Sequence, residues 1–179
     1  GGDIDGEAAE DRFGRYVAIS SDGMILAVGA FLNDGNGVDA GHVRIFEWNT
    51  ESWSQLGGDI EGEAAEDRFG LSVALSSDGS TVAIGALNND GNGVNAGHVR
   101  ILKWDTESWS QVGDDIDGEA AGDQSGVSVA LSSDGSTVAI GARKNGSNAG
   151  HVRVFSDVSQ WESGAILLIY IYALTSFVS

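Results

Sequence analysis

Residues 72–86 read SVALSSDGSTVAIGA, and this stretch decides the fold. Two short runs rich in Val, Ile and Ala flank a Ser-Ser-Asp-Gly turn, in which Gly79 tolerates the positive φ that a tight hairpin needs. The same text occurs as YVAISSDGMILAVGA at 16–30 and as SVALSSDGSTVAIGA at 128–142, a spacing of 56 residues each time. Working outward, residues 57–112 repeat residues 1–56 with 41 of 56 positions identical, and a third copy runs from Gly113 until it loses register after Phe155. A fixed period longer than about 20 residues marks a repeat architecture rather than an ordinary globular fold.

Each unit carries two further strand-like runs. His42–Trp48 alternates apolar Val43 and Ile45 with polar His42 and Arg44, the period of two expected of a strand. Ser52–Leu56, leading into Asp59 and Ile60, follows the turn Asn49–Ser52. A helical period over ten or more residues is absent, and Glu7–Glu10 is the only helix-like piece. Four antiparallel strands per unit predict an all-β fold of β-propeller blades, about three of them, with a β-solenoid as the alternative. The units are 1–56, 57–112 and 113–164, with an apolar divergent tail at 165–179. Propellers close with about four to eight blades. The chain also opens mid-phrase on GGDI, so it reads as part of a larger or incomplete propeller, with the remaining blades of the parent chain as its partners.

The 27 acids against 9 bases give a net charge of -18, which disfavours nucleic acid and anionic membranes and suits cations or basic partners. The chain contains no cysteine and no proline, so disulfides and cysteine metal sites are excluded and the turns depend on Gly, Asn and Asp.

Arg12-Phe13-Gly14, Val17-Ala18 and Val28-Gly29-Ala30 together resemble the FG-GAP repeat of integrin α-subunit propellers. Copy two has Phe69-Gly70 with Gly85-Ala86; copy three has Ser125-Gly126 with Gly141-Ala142, and Phe31, Leu87 and Arg143 replace the motif's proline. The unit is also similar to a WD-repeat, although it is longer than that blade. The resemblance implies a non-catalytic module for protein or glycan ligands, with extracellular or cell-surface adhesion or recognition as its setting. The family's Asp-x-Asp-x-Asp-Gly calcium loop is not matched, because Ser20-Ser21-Asp22-Gly23 stands in its place and offers too few oxygens.

Calcium has another candidate in the loop entering each first strand: Asp3, Asp5, Glu7 and Asp11; Asp59, Glu61, Glu63 and Asp67; Asp115, Asp117, Glu119 and Asp123. Carboxylates at relative positions 1, 3, 5 and 9 partly follow the oxygen spacing of an EF-hand loop. A solvated acidic loop reads the same residues without an ion. The Asn/Asp/Gly loop at 33–39, its copy at 89–95 and its shortened form at 145–148 read as turns. His42, His98 and His151 sit on equivalent strands, too far apart to share a zinc ion, and are assigned structural roles, with Arg44, Arg100 and Arg153 paired to nearby acids. Trp48 and Trp53, like Trp104 and Trp109, flank a turn and can meet across it, with Trp53 and Trp109 as candidate stacking platforms for a sugar or protein, or as edge packing. No nucleophile elbow, P-loop or HExxH is present, and the recurrence of each polar residue argues against a unique active site. A fragment of an enzyme or carbohydrate-binding propeller whose active blades lie elsewhere is the alternative. The uncharged run 165–179 is shorter than a membrane-spanning helix. It reads as a frameshift or truncation, then as a substitute strand, then as an anchor.

Overall fold

The computed structural model describes residues 2–158. In the first blade, β1 (Tyr16–Ile19) pairs antiparallel with β2 (Ile25–Ala30), β2 with β3 (His42–Trp48), and β3 with β4 (Trp53–Gln55). The two-residue β5 (Ile60–Glu61) pairs with the other end of β3, so β4 and β5 act as one outer strand interrupted at residues 56–59. The second blade repeats this with β6 (Phe69–Leu75), β7 (Thr81–Ala86), β8 (His98–Trp104), β9 (Trp109–Gln111) and β10 (Ile116–Asp117). The third contains β11 (Ser125–Leu131), β12 (Val138–Ala142) and β13 (His151–Phe155) among the described residues.

The hairpin turn is built as its sequence requires. The Ser20 hydroxyl donates to Asp22 Oδ1 at 2.6 Å and accepts from the Ile25 N–H, while the Met24 N–H donates to the same carboxylate. Ser76 with Asp78 and Ser132 with Asp134 repeat the arrangement. These turns also link blade to blade, since the Ser21 N–H donates to the Ser77 carbonyl and the Ser77 N–H to the Ser133 carbonyl, both at 2.8 Å.

The inner strand β1 starts at Tyr16 as the sequence predicts, but those of the second and third blades start earlier. β6 and β11 begin at Phe69 and Ser125 rather than Ser72 and Ser128, through a bulge that shifts the register between 69 and 72 and between 125 and 128. Gly70 and Gly126 sit in those bulges at φ 86° and 81°. At Glu7–Glu10 there is no helical turn; the segment is irregular, with Glu10 at φ 73°. The shortened loop Asn145–Asn148 forms a single turn in which Gly146 and Ser147 are left-handed.

The core lies between blades. Ala27, Val43, Ile45 and Ile60 of the first blade pack against Phe69, Val82, Ile84, Ala86 and Leu102 of the second. Ala83, Val99, Ile101 and Ile116 of the second meet Val138, Ile140 and Val158 of the third. Burial therefore depends on neighbours. All six residues of β7 are buried, whereas β13 alternates. Val99 and Ile101 are at most 1% exposed, but their equivalents Val152 and Val154 are 67% and 64% exposed on the bare face of the third blade. Val17 and Ile19 are bare in the same way on the first. The described residues form about three β-propeller blades, with Val17 and Ile19 exposed on the first and Val152 and Val154 on the third. No helix among the described residues is long and apolar enough to cross a membrane. The tail readings concern 165–179, which lie outside the described residues.

Candidate functional site

The four acids of each loop are distributed to different neighbours. Asp67 is buried: its Oδ2 accepts from the Ala64 N–H at 3.1 Å and from Asn89 Nδ2 at 3.0 Å. Asn33 donates to Asp11 and Asn145 to Asp123 in the same way, both at 2.9 Å. The Asn/Asp/Gly loop is thus a clamp. Its Asn36 and Asn92 also reach forward into the next acidic loop, donating to the carbonyls of Gly62 and Gly118 at 2.8 Å. Glu61 and Asp117 lie on β5 and β10, opposite His42 and His98 in register. Burial pushes both carboxyls above their ordinary range, with His42 opposing the shift at Glu61 and Arg153 opposing it at Asp117. Asp3 and Asp5 are exposed near the start of the chain.

The remaining acids converge on histidine. Glu63, His98 and Asp115 each place a ligand atom within 4.8 Å of the others, and Glu7, His42 and Asp59 repeat the cluster one blade earlier. His98 Nδ1 lies 3.6 Å from Asp115 Oδ2 and 3.9 Å from Glu63 Oε2. His42 and His98 are essentially inaccessible, and neither ring nitrogen of either has a hydrogen-bond partner among the described residues. Burial holds the His98 imidazole below its ordinary value against the pull of Asp115, and pushes the Glu63 carboxyl up. Arg100 Nη1 faces the other oxygen of Glu63 at 3.9 Å, and its Nη2 donates to the Glu61 carbonyl. In the third blade His151 Nδ1 lies 3.5 Å from Glu119 Oε2. The burial of His42 and His98 suits a structural role, but it comes without the hydrogen bonds that usually accompany a buried imidazole. Their acids come from two successive units, 35 residues before His98 and 17 after it, a combination invisible within any one loop.

Where two blades meet, the repeat's own motif closes on itself. Gly29 of the first blade's Gly-Ala lies against the Gly70 carbonyl of the second blade's Phe-Gly, with Gly85 and Gly126 repeating the contact. Residues 4–46 and 61–101 match the sequence model of the FG-GAP repeat. The chain carries FG-GAP repeats. No curated protein sequence matches it significantly. Solved structures share the propeller fold at low identity. A 6-phosphogluconolactonase, so named provisionally, from Bacteroides uniformis ATCC 8492 has a TM-score of 0.54 at 15% identity, over 79% of this chain and 36% of its own. The periplasmic gluconolactonase PpgL of Pseudomonas aeruginosa has 0.53 at 18%, over 79% and 38%. Kuenenia stuttgartiensis hydrazine synthase has 0.52 at 15%, over 87% and 36%. The chain spans little more than a third of the length of each.

The tryptophans of the FG-GAP blades stand in two environments. Trp48 and Trp53 face each other across their hairpin with ring centroids 5.5 Å apart, as do Trp104 and Trp109. Trp109 Nε1 donates to the Leu56 carbonyl at 3.0 Å, and a Cβ on Gly57 would lie 2.9 Å from the Trp104 ring, so the preceding blade covers that pair. Trp48 and Trp53 instead line an open recess with Asp22, Gly23 and Met24.

Proposed function

We propose that this FG-GAP chain is a non-catalytic interaction module, a rigid run of blades that presents its surface to a protein or glycan. The observation that carries this reading is how the repeated polar residues are used. Asp67 and Asn89, with their copies, tie two loops of one blade together, and Asn36 and Asn92 tie a blade to the loop that enters the next, which is architecture rather than a reacting centre. The Trp48–Trp53 recess supplies a partly exposed aromatic surface flanked by Asp22, suited to stacking on a sugar ring or a basic side chain. The bare faces carrying Val17 and Ile19, and Val152 and Val154, suit further blades of a parent chain.

A second reading draws on the two lactonase-named structures: a fragment of an enzymatic propeller whose reacting groups lie on other blades. Tryptophan fluorescence titrated with a panel of oligosaccharides and basic peptides separates the two. Saturable quenching that Trp53→Ala abolishes, with Tm unchanged, supports the interaction module. Hydrolysis of a sugar lactone above background, with no such binding, overturns it.

A further inference from the structure

We infer that the Glu63–His98–Asp115 cluster, and its copy Glu7–His42–Asp59, is a binding site for a divalent transition-metal ion such as Zn2+. The first support is His98 itself, an imidazole about 1% exposed with neither nitrogen hydrogen-bonded, whose Nδ1 points between two carboxylates. A buried polar group without a partner is costly, and a coordinated metal relieves that cost at Nδ1. The second support is spacing. Zinc holds imidazole and carboxylate donors at about 2.0–2.2 Å, which puts two donors on one tetrahedral ion about 3.3 Å apart. His98 Nδ1 is 3.6 and 3.9 Å from its two acids, and both acids are accessible enough to close that small gap (side chains 27% and 45% exposed).

The third support is orientation. Glu63 turns Oε2 to His98 and Oε1 to Arg100 Nη1, and Glu7 turns Oε2 to His42 and Oε1 to Arg44 Nη1 at 3.8 Å. The guanidinium faces one carboxylate oxygen and leaves the other turned to the histidine, where in the second blade Asn89 Nδ2 also donates to Glu63 Oε2 at 3.4 Å, as outer partners orient metal ligands. A donor set with an imidazole nitrogen suits zinc and its neighbours rather than calcium, which takes oxygen ligands. The ion would join three separate segments of one blade: the entering loop, the third strand and the approach to the outer strand. In the third blade Glu119 and His151 are the members of the cluster among the described residues, so the described residues hold two complete sites.

The test is calorimetric titration of the metal-stripped chain with ZnCl2 in excess Ca2+. Two equivalents are expected in wild type, one in Glu63→Gln/Asp115→Asn, and none when Glu7→Gln and Asp59→Asn are added. These acids are the accessible members of the clusters, so the buried histidines stay in place. A spectroscopic readout on the wild type needs no variant: Co2+ should give visible d–d bands that Zn2+ abolishes. Absence of saturable Zn2+ uptake, uptake that survives the four substitutions, or Co2+ without such bands would overturn the assignment.

Discussion

Gly29 and Gly70 meet across the first blade junction with no room for a side chain between them: a Cβ on Gly29 would fall inside the van der Waals shell of the Gly70 carbonyl oxygen. The two halves of the repeat motif, far apart in one unit, are thus neighbours in space between units. Gly70 also sits at φ 86° in the bulge that opens β6, so the same residue bends the inner strand and exposes its carbonyl to the preceding blade.

The residue before that glycine fills the junction. Phe69 is fully buried, with the Arg100 guanidinium carbon 4.1 Å from its ring centroid. Phe69→Ala should cost about 3–5 kcal/mol, as large-to-small core changes do. Copy three places Ser125 there, equally buried, and its hydroxyl has no partner among the described residues. Ser125→Ala removes an unsatisfied group and should be neutral or stabilising, by up to about 1–3 kcal/mol. Urea denaturation of both variants checks the pair of signs.

The Asn clamp gives a second expectation. Asn89→Ala leaves the buried Asp67 carboxylate with one donor in place of two, and loss of a hydrogen bond to a charged group costs about 1.5–3 kcal/mol. Asn92→Ala, whose Nδ2 serves the Gly118 carbonyl, removes a neutral bond and should cost about 0.5–1.5 kcal/mol. Chemical denaturation of the two variants side by side gives the order.

Acid sensitivity follows from the hairpin turns. The Ser132 hydroxyl, then the Ser136 N–H and hydroxyl, hold the Asp134 carboxyl down from 3.8 to about 2. A folded-state value below the unfolded one gives a contribution present above about pH 4 and lost as pH falls toward about 2. Asp22 and Asp78 shift in the same direction, each chiefly through its serine. Melting curves between pH 2 and 5 should therefore fall more steeply for wild type than for Asp134→Ala.

Much of this scaffold is legible in the sequence because its signals are local. The alternation in His42–Trp48 and the Ser-Asp-Gly turns mark strands and hairpins that the structure reproduces, with β3 spanning that very run. The family was legible too, on Phe69-Gly70 and Gly85-Ala86. What local reading could not supply is where an acidic loop sends each carboxylate. Asp59, Glu61, Glu63 and Asp67 lie within nine residues, yet Asp59 faces His42 of one blade and Glu63 faces His98 of the next. Backbone direction at a crossing between blades decides that, and no spacing rule encodes it. The start of β6 was hidden for a related reason, since a bulge glycine and a turn glycine are the same letter.

The most direct test of the blade-junction architecture uses one motif position in three contexts. Gly29 and Gly85 each face the backbone of a following blade, whereas a Cβ on Gly141 would meet only Ser128, an exposed side chain free to turn away. Thermal denaturation of Gly29→Ala, Gly85→Ala and Gly141→Ala should show the first two destabilised by about 1–3 kcal/mol or more, the usual cost of overpacking, and the third close to wild type. Equal losses at all three positions would contradict a junction built on glycine meeting glycine.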